Sequence, residues 1–176
     1  DVDCIICIGK FSKTEVESLV NLNPKILFLD MPVKNPDIST IMIDFEHAVK
    51  LVMDYLTGLG HKEIGFLTGK EYVSPEQLYP DYRKKVFVNY CEEHQIHYKP
   101  YLREGLFRID SGYEMTCDLI RSKTLPTAIF AASDPIAMGA IKALTEYGYR
   151  IPDDISVIGF DDISIAEFTT PPLTTI

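Results

Sequence analysis

The sequence has no tryptophan, no basic cluster longer than the three residues Arg83-Lys84-Lys85, and no apolar run near the ~20 residues that a bilayer crossing needs. No positively charged leader followed by an apolar stretch opens it, so an export signal is not expected. Its 17 basic residues are outnumbered by 26 acidic ones, for a formal charge of −9. Affinity for a phosphate backbone comes largely from cationic side chains, so any grip on nucleic acid is expected outside these residues. Only four cysteines are present. Cys4 and Cys7 form a C-x-x-C, but within an apolar run that reads as a strand, where residues three apart point to opposite faces. Redox pairs need a helix N-terminus instead. Cys91 and Cys117 fall in helical patterns and read as core thiols of a reducing compartment. His94 and His97 lack the further ligands of a zinc site, so no metal is expected.

Enzyme signatures are missing as well. Gly65 to Lys70 is one residue short of a phosphate-binding loop, and Glu71 stands where Ser or Thr must hold magnesium. Gly58-Leu59-Gly60 follows a helical pattern rather than a strand, so it is no dinucleotide fingerprint. There is no G-x-S-x-G, and Ser133 has no histidine base near it in sequence. No cofactor and no catalytic activity are expected.

The most informative stretch runs from Pro126 to Asp162. Ala128 to Ala132 is uninterruptedly apolar, as in a strand buried on both faces of a sheet. Ser133-Asp134-Pro135 is a strong helix start. Ala137, Ala140, Ile141 and Leu144 then recur at helical spacing, and Gly148 supplies a left-handed stop. A second buried strand, Ile155 to Phe160, ends in Asp161-Asp162. Strand, helix and strand make a right-handed parallel unit. In open parallel sheets ligands sit outside the carboxyl ends of strands. Ser133, Asp134, Asp161 and Asp162 stand at two such ends, as ligand contacts or simply as caps and turn formers.

The rest alternates in the same way, which predicts an α/β fold with parallel sheets. Strands are predicted at Ile5–Ile8, Ile26–Leu29, Ile41–Ile43, Glu63–Leu67 and around Glu104–Phe107. Helices are predicted over Thr14–Leu22, over a stretch with Ala48, Leu51, Val52, Tyr55, Leu56 and Leu59 on one face, over one burying Val86, Phe87, Tyr90 and Cys91, and over about Ser111–Arg121. Glu71 to Asp81 reads as a polar loop.

GHKEIGFLTG (60–69), PTAIFAASDPIAMGA (126–140), IPDDISVIGFDD (151–162) and PPLTTI (171–176) resemble the LacI/GalR family of transcriptional regulators, in order and along essentially the whole chain. Within that family, DYRKKVF and FTTPPLTT resemble repressors of β-galactosidase operons. The resemblance implies a type I periplasmic-binding-protein-like effector domain: two parallel-sheet lobes with helices on both faces. Residues 1–43 would be an incomplete N-lobe and residues 44–176 a C-lobe, with the DNA-binding head and hinge absent. The implied function is effector binding and dimerisation in a cytoplasmic repressor of sugar catabolism. An exported sugar-binding protein of a transport system is the alternative.

Site residues follow from the same resemblance. Asp161 matches an aspartate that accepts hydrogen bonds from adjacent sugar hydroxyls, and Arg83 an arginine that forks onto them. Phe107 matches an aromatic packed on the ligand's apolar face. Ser133 stands at an asparagine position, and Asp30 matches a carboxylate on the N-lobe side. An arginine facing carboxylates around an aromatic wall suits a neutral polyhydroxylated ligand better than a purine or a phosphoprotein, and the resemblance favours a galactoside-like sugar. Operator DNA would be bound through the absent head. Met138, Ile165 and Phe168 are the apolar residues expected at a homodimer interface.

Overall fold

The apolar tetrapeptide Ile5–Ile8 forms β1 in the computed structural model, which describes residues 2–74 and 76–176. Helix α1 (Lys13–Leu22) opens on a capping box, in which Ser12 and Glu15 satisfy each other's backbone N–H. β2 (Ile26–Leu29) follows, then β3, which is Ser39–Ile41 rather than the predicted 41–43. The shift has a pairing cause: Thr40 lies opposite Phe28 and Ile41 opposite Leu29, so the ladder ends where β2 ends. The sheet is parallel throughout, in the order β1-β2-β3. Cys7, Ile26 and Phe28 pack with Val16 of α1 on one face. On the other, Ile6 and Ile8 are exposed, as is Ile41 at the end of β3.

Next come α2 (Phe45–Gly58), β4 (Ile64–Gly69), β5 (Glu71–Ser74), β6 (Gln77–Tyr79), α3 (Tyr82–Glu93), β7 (Leu102–Gly105), α4 (Ile109–Arg121), β8 (Ala128–Ala131), α5 (Asp134–Glu146) and β9 (Ser156–Ile158). The predicted polar loop is therefore partly a two-stranded sheet of β5 and β6. By contacts the chain forms two units. The first runs to Asp44 and includes Tyr72–Tyr79; the second holds Phe45–Glu71 and Pro80–Ile176.

The second unit is built on a parallel sheet in the order β7-β4-β8-β9. Every residue of β4 and β8 is buried, as expected of central strands covered on both faces. Alternate side chains feed two cores. Phe66, Phe130 and Ile158 meet Val49, Val52, Met53, Leu56, Phe87 and Tyr90 on one face. Leu67, Ile129 and Val157 meet Met115, Leu119, Ile136, Ala140 and Leu144 on the other. The buried stripe of α2 differs from the predicted one. Val49, Val52, Met53 and Leu56 face inward, while Leu51, Tyr55 and Leu59 are exposed. This helix is apolar around much of its girth, so two stripes sharing Val52 and Leu56 fit the helical period equally well.

In the central unit Ser133 caps α5, Pro135 lies in its first turn, and Gly148 adopts φ +83° just past its end. β9 is shorter than the predicted 155–160; beyond it Ile158 bridges Thr174 and the Gly159 N–H donates to Thr174 O at 2.9 Å. All four cysteines are free. Cys7 is buried and Cys4 exposed, and burial pushes the Cys91 thiol up to about 12. Cys7, Cys91 and Cys117 are buried thiols, and Cys91 and Cys117 lie in helices as predicted. Among the described residues no helix is long and apolar enough to cross a membrane.

Candidate functional site

The carboxyl ends of all four strands in the second unit converge on one side chain, Arg83, in the first turn of α3. Asp81 caps that helix, accepting the Arg83 backbone N–H at 3.0 Å and its Nε–H at 2.9 Å through the same oxygen. The other Asp81 oxygen accepts the hydroxyl of Thr68, a wholly buried residue near the end of β4. Arg83 Nη1 donates to the carbonyl of Ala132, just past β8, at 2.7 Å. The guanidinium lies 4.9 Å from the centroid of Phe107, two residues beyond β7, and 5.4 Å from those of Phe45 and of Phe160, two residues beyond β9. Phe107 comes this close because its ring fills the place a side chain would take at Gly69.

Two hydrogen bonds and three aromatic rings fix the plane of the guanidinium. The Arg83 and Asp81 side chains are only 14% and 9% exposed, so this pair is far less screened than a surface ion pair.

Asp161 directly follows Phe160, on exposed backbone at φ +104°, and Asp162 follows at φ +47°. Left-handed backbone at a non-glycine residue costs free energy and gathers at functional sites. The Asp161 N–H donates to Ile176 O at 2.7 Å. Ser133 stands at the same end of the sheet, but it is 3% exposed and its hydroxyl accepts the Ile136 N–H as the cap of α5.

Asp30 belongs to the first unit, at the end of β2, with φ +55°. Lys10 Nζ donates to both its backbone oxygen and its carboxylate. That ammonium also lies 4.7 Å from the Tyr79 ring centroid. Oδ1 of Asp30 is buried and accepts no hydrogen bond among the described residues.

The sequence reading thus named Arg83, Phe107, Ser133 and Asp161, which the second unit carries at one sheet end, and missed Asp81, Thr68, Phe45, Phe160 and Lys10. Asp81 had a signal, since D-Y-R before an apolar-periodic run is a helix cap. Among the described residues no group of three or more His, Cys, Asp or Glu is placed to hold a metal. His94 instead stacks on Tyr90 with centroids 3.9 Å apart. Of the expected dimer residues, Met138 is half-buried, and Ile165 and Phe168 are 56% and 75% exposed.

Comparison with known proteins agrees with this architecture. The family described as periplasmic binding protein-like domain matches residues 53–176. The transcriptional regulator GalR of Streptococcus thermophilus is 37% identical over 174 residues, which are 98% of this chain and 53% of that protein. The transcriptional repressor PurR of Mannheimia succiniciproducens is 38% identical over 153 residues, 86% of this chain and 44% of that one. The chain spans about half the length of the curated relatives it matches. Among solved structures, a LacI-family sugar-binding transcriptional regulator from Escherichia coli, complexed with phosphate, superposes with a TM-score of 0.84 at 30% identity. That match covers 98% of this chain and 62% of the regulator. The lac repressor dimer bound to operator and the anti-inducer ONPF gives 0.82 at 31% identity, covering 99% and 59%. With this fold, these motifs and these relatives, the chain belongs to the periplasmic binding protein-like family, in the form found in the effector-binding domains of LacI/GalR transcriptional regulators.

Proposed function

We propose that this chain is the effector-binding and dimerisation part of a cytoplasmic transcriptional repressor, and that its effector is a neutral, galactoside-like sugar. In this reading residues 1–43 belong to the N-lobe and 44–176 to the C-lobe, except that Tyr72–Tyr79 pack with the first unit, and operator DNA is bound by a head outside these residues. The observation that supports it best is the caged Arg83 at the carboxyl ends of four parallel strands, with the Asp161 carboxylate at one of those ends. A fixed guanidinium donates to two adjacent hydroxyls, a carboxylate accepts from them, and Phe107 offers an apolar ring face. Hydroxyls that both donate and accept match this set, whereas a purely anionic ligand would be repelled by Asp161. In this reading the ligand is bound rather than transformed, as expected of relatives that are transcriptional regulators. Sugar recovered intact by chromatography after prolonged incubation is the expected result.

Effector binding acts on operator affinity only through unequal affinity for two arrangements of the regulator. Calorimetry on the full-length regulator, with methyl β-D-galactoside, glucose and hypoxanthine as probes, should show binding of the galactoside. Asp161→Ala or Arg83→Ala should each weaken it by about 2–4 kcal/mol, as charged hydrogen bonds in a desolvated site do, while operator binding without sugar persists. Unchanged galactoside affinity in Asp161→Ala would refute the assignment.

For assembly, Met138, Ile165 and Phe168 are the proposed homodimer contacts. Met138→Glu should sediment as a folded monomer. A variant that sediments like the parent protein would exclude Met138 from the interface.

A further inference from the structure

Asp134 is fully buried. A buried carboxylate is costly unless its oxygens are hydrogen-bonded. Here Oδ2 accepts the Ile163 N–H at 2.8 Å and Oδ1 the Thr175 hydroxyl at 2.6 Å. Its own backbone N–H donates to Phe160 O at 2.7 Å. Gly159 makes room for this carboxylate, since a Cβ there would lie 2.1 Å from Oδ1. The Thr175 oxygen in turn accepts the Asp162 N–H at 3.3 Å.

The chain is therefore gripped immediately before Asp161, through Phe160, and immediately after it, through Asp162 and Ile163. Asp161 and Asp162 are the two successive residues held at positive φ between those grips. Strained backbone persists only where its surroundings over-determine it. A carboxylate serving only the α5 dipole would need neither full burial nor partners on two other segments.

We propose that Asp134 and Thr175 are positioning residues that aim the Asp161 carboxylate, acting on the effector through Asp161 without touching it. This rests on the reading of Asp161 as an effector ligand. A double-mutant cycle separates the two, with calorimetry on the full-length regulator and methyl β-D-galactoside as the probe. Thr175→Val should weaken binding about tenfold, some 1.4 kcal/mol, when Asp161 is present. In an Asp161→Asn background it should have little further effect, because coupled residues are non-additive. Thr175→Ser, which keeps the hydroxyl, should bind like the parent.

Full tenfold losses in both backgrounds would overturn the positioning role while leaving Asp161 as a ligand. No loss from Asp161→Asn itself would overturn the effector reading, and with it the ligand this inference serves. Amide hydrogen exchange on the present chain is independent of any sugar. Thr175→Val should speed exchange at Asp162 and Ile163 and leave the β8 amides as they were. Unchanged exchange at both positions would overturn the proposal.

Discussion

Asp81→Ala should lower the free energy of unfolding by about 3–5 kcal/mol, the usual cost of removing one partner from a buried ion pair. Three acceptor contacts disappear together: those to the Arg83 side chain, to the Arg83 backbone N–H that starts α3, and to the Thr68 hydroxyl. Thr68 is wholly buried and Arg83 nearly so, and water replaces neither bond easily. The guanidinium would remain among three rings, with its bond to Ala132 O. Glu146→Ala is the comparison. Its partners, Lys142 one helical turn away and the Tyr113 hydroxyl of α4, meet it at the exposed surface, where solvent screens the pair, so the loss there should be much smaller. Denaturant titration of the two variants separates the cases. An Asp81→Ala loss as small as that of Glu146→Ala would mean that the Arg83 cage is held by its rings alone. In the double variant Asp81→Ala, Arg83→Ala the losses should be less than additive, because no unpaired charge is left behind.

How much of this was legible in the sequence depends on how local the cause is. β1, β2 and α5 were readable because their signals are contiguous: four-residue apolar runs, and a Ser-Asp-Pro start with a glycine stop. The β5–β6 pair was not, since Glu71–Tyr79 has a polar composition and two nearby prolines that argue against strands. The face of α2 was misjudged because which stripe is buried depends on what packs against it. Here α3 does so, and Tyr90 of α3 hydrogen-bonds Asp54 of α2 at 2.6 Å. In the site, Arg83 and Asp161 came with recognisable motifs. That Phe45, Thr68, Phe107, Ala132 and Phe160 gather around Arg83 was not legible, because they are far apart in the chain and meet only where strand ends converge.

Gly139→Ala should destabilise the second unit by about 3 kcal/mol, although alanine is the better helix former by about 1 kcal/mol. The two effects have opposite signs, and geometry decides between them. A Cβ on Gly139 would lie 2.0 Å from Ile109 O and 2.5 Å from Tyr113 N, both backbone atoms of α4. Gly112 of α4 makes the reciprocal approach, with Ile136 O of α5 2.2 Å from the corresponding point. α4 and α5 thus touch backbone to backbone, and no rotamer change relieves the added methyl. The helices must separate, loosening Met115 and Leu119 against Ile136 and Ala140 in the core beneath them. Gly58→Ala, at the exposed end of α2, meets nothing within 4 Å and has no positive φ, so it should gain a few tenths to about 1 kcal/mol. Chemical denaturation of both variants should therefore give shifts of opposite sign. A Gly139→Ala variant as stable as the parent would show that α4 and α5 can part without loss, and the close glycine contact would then have no energetic role.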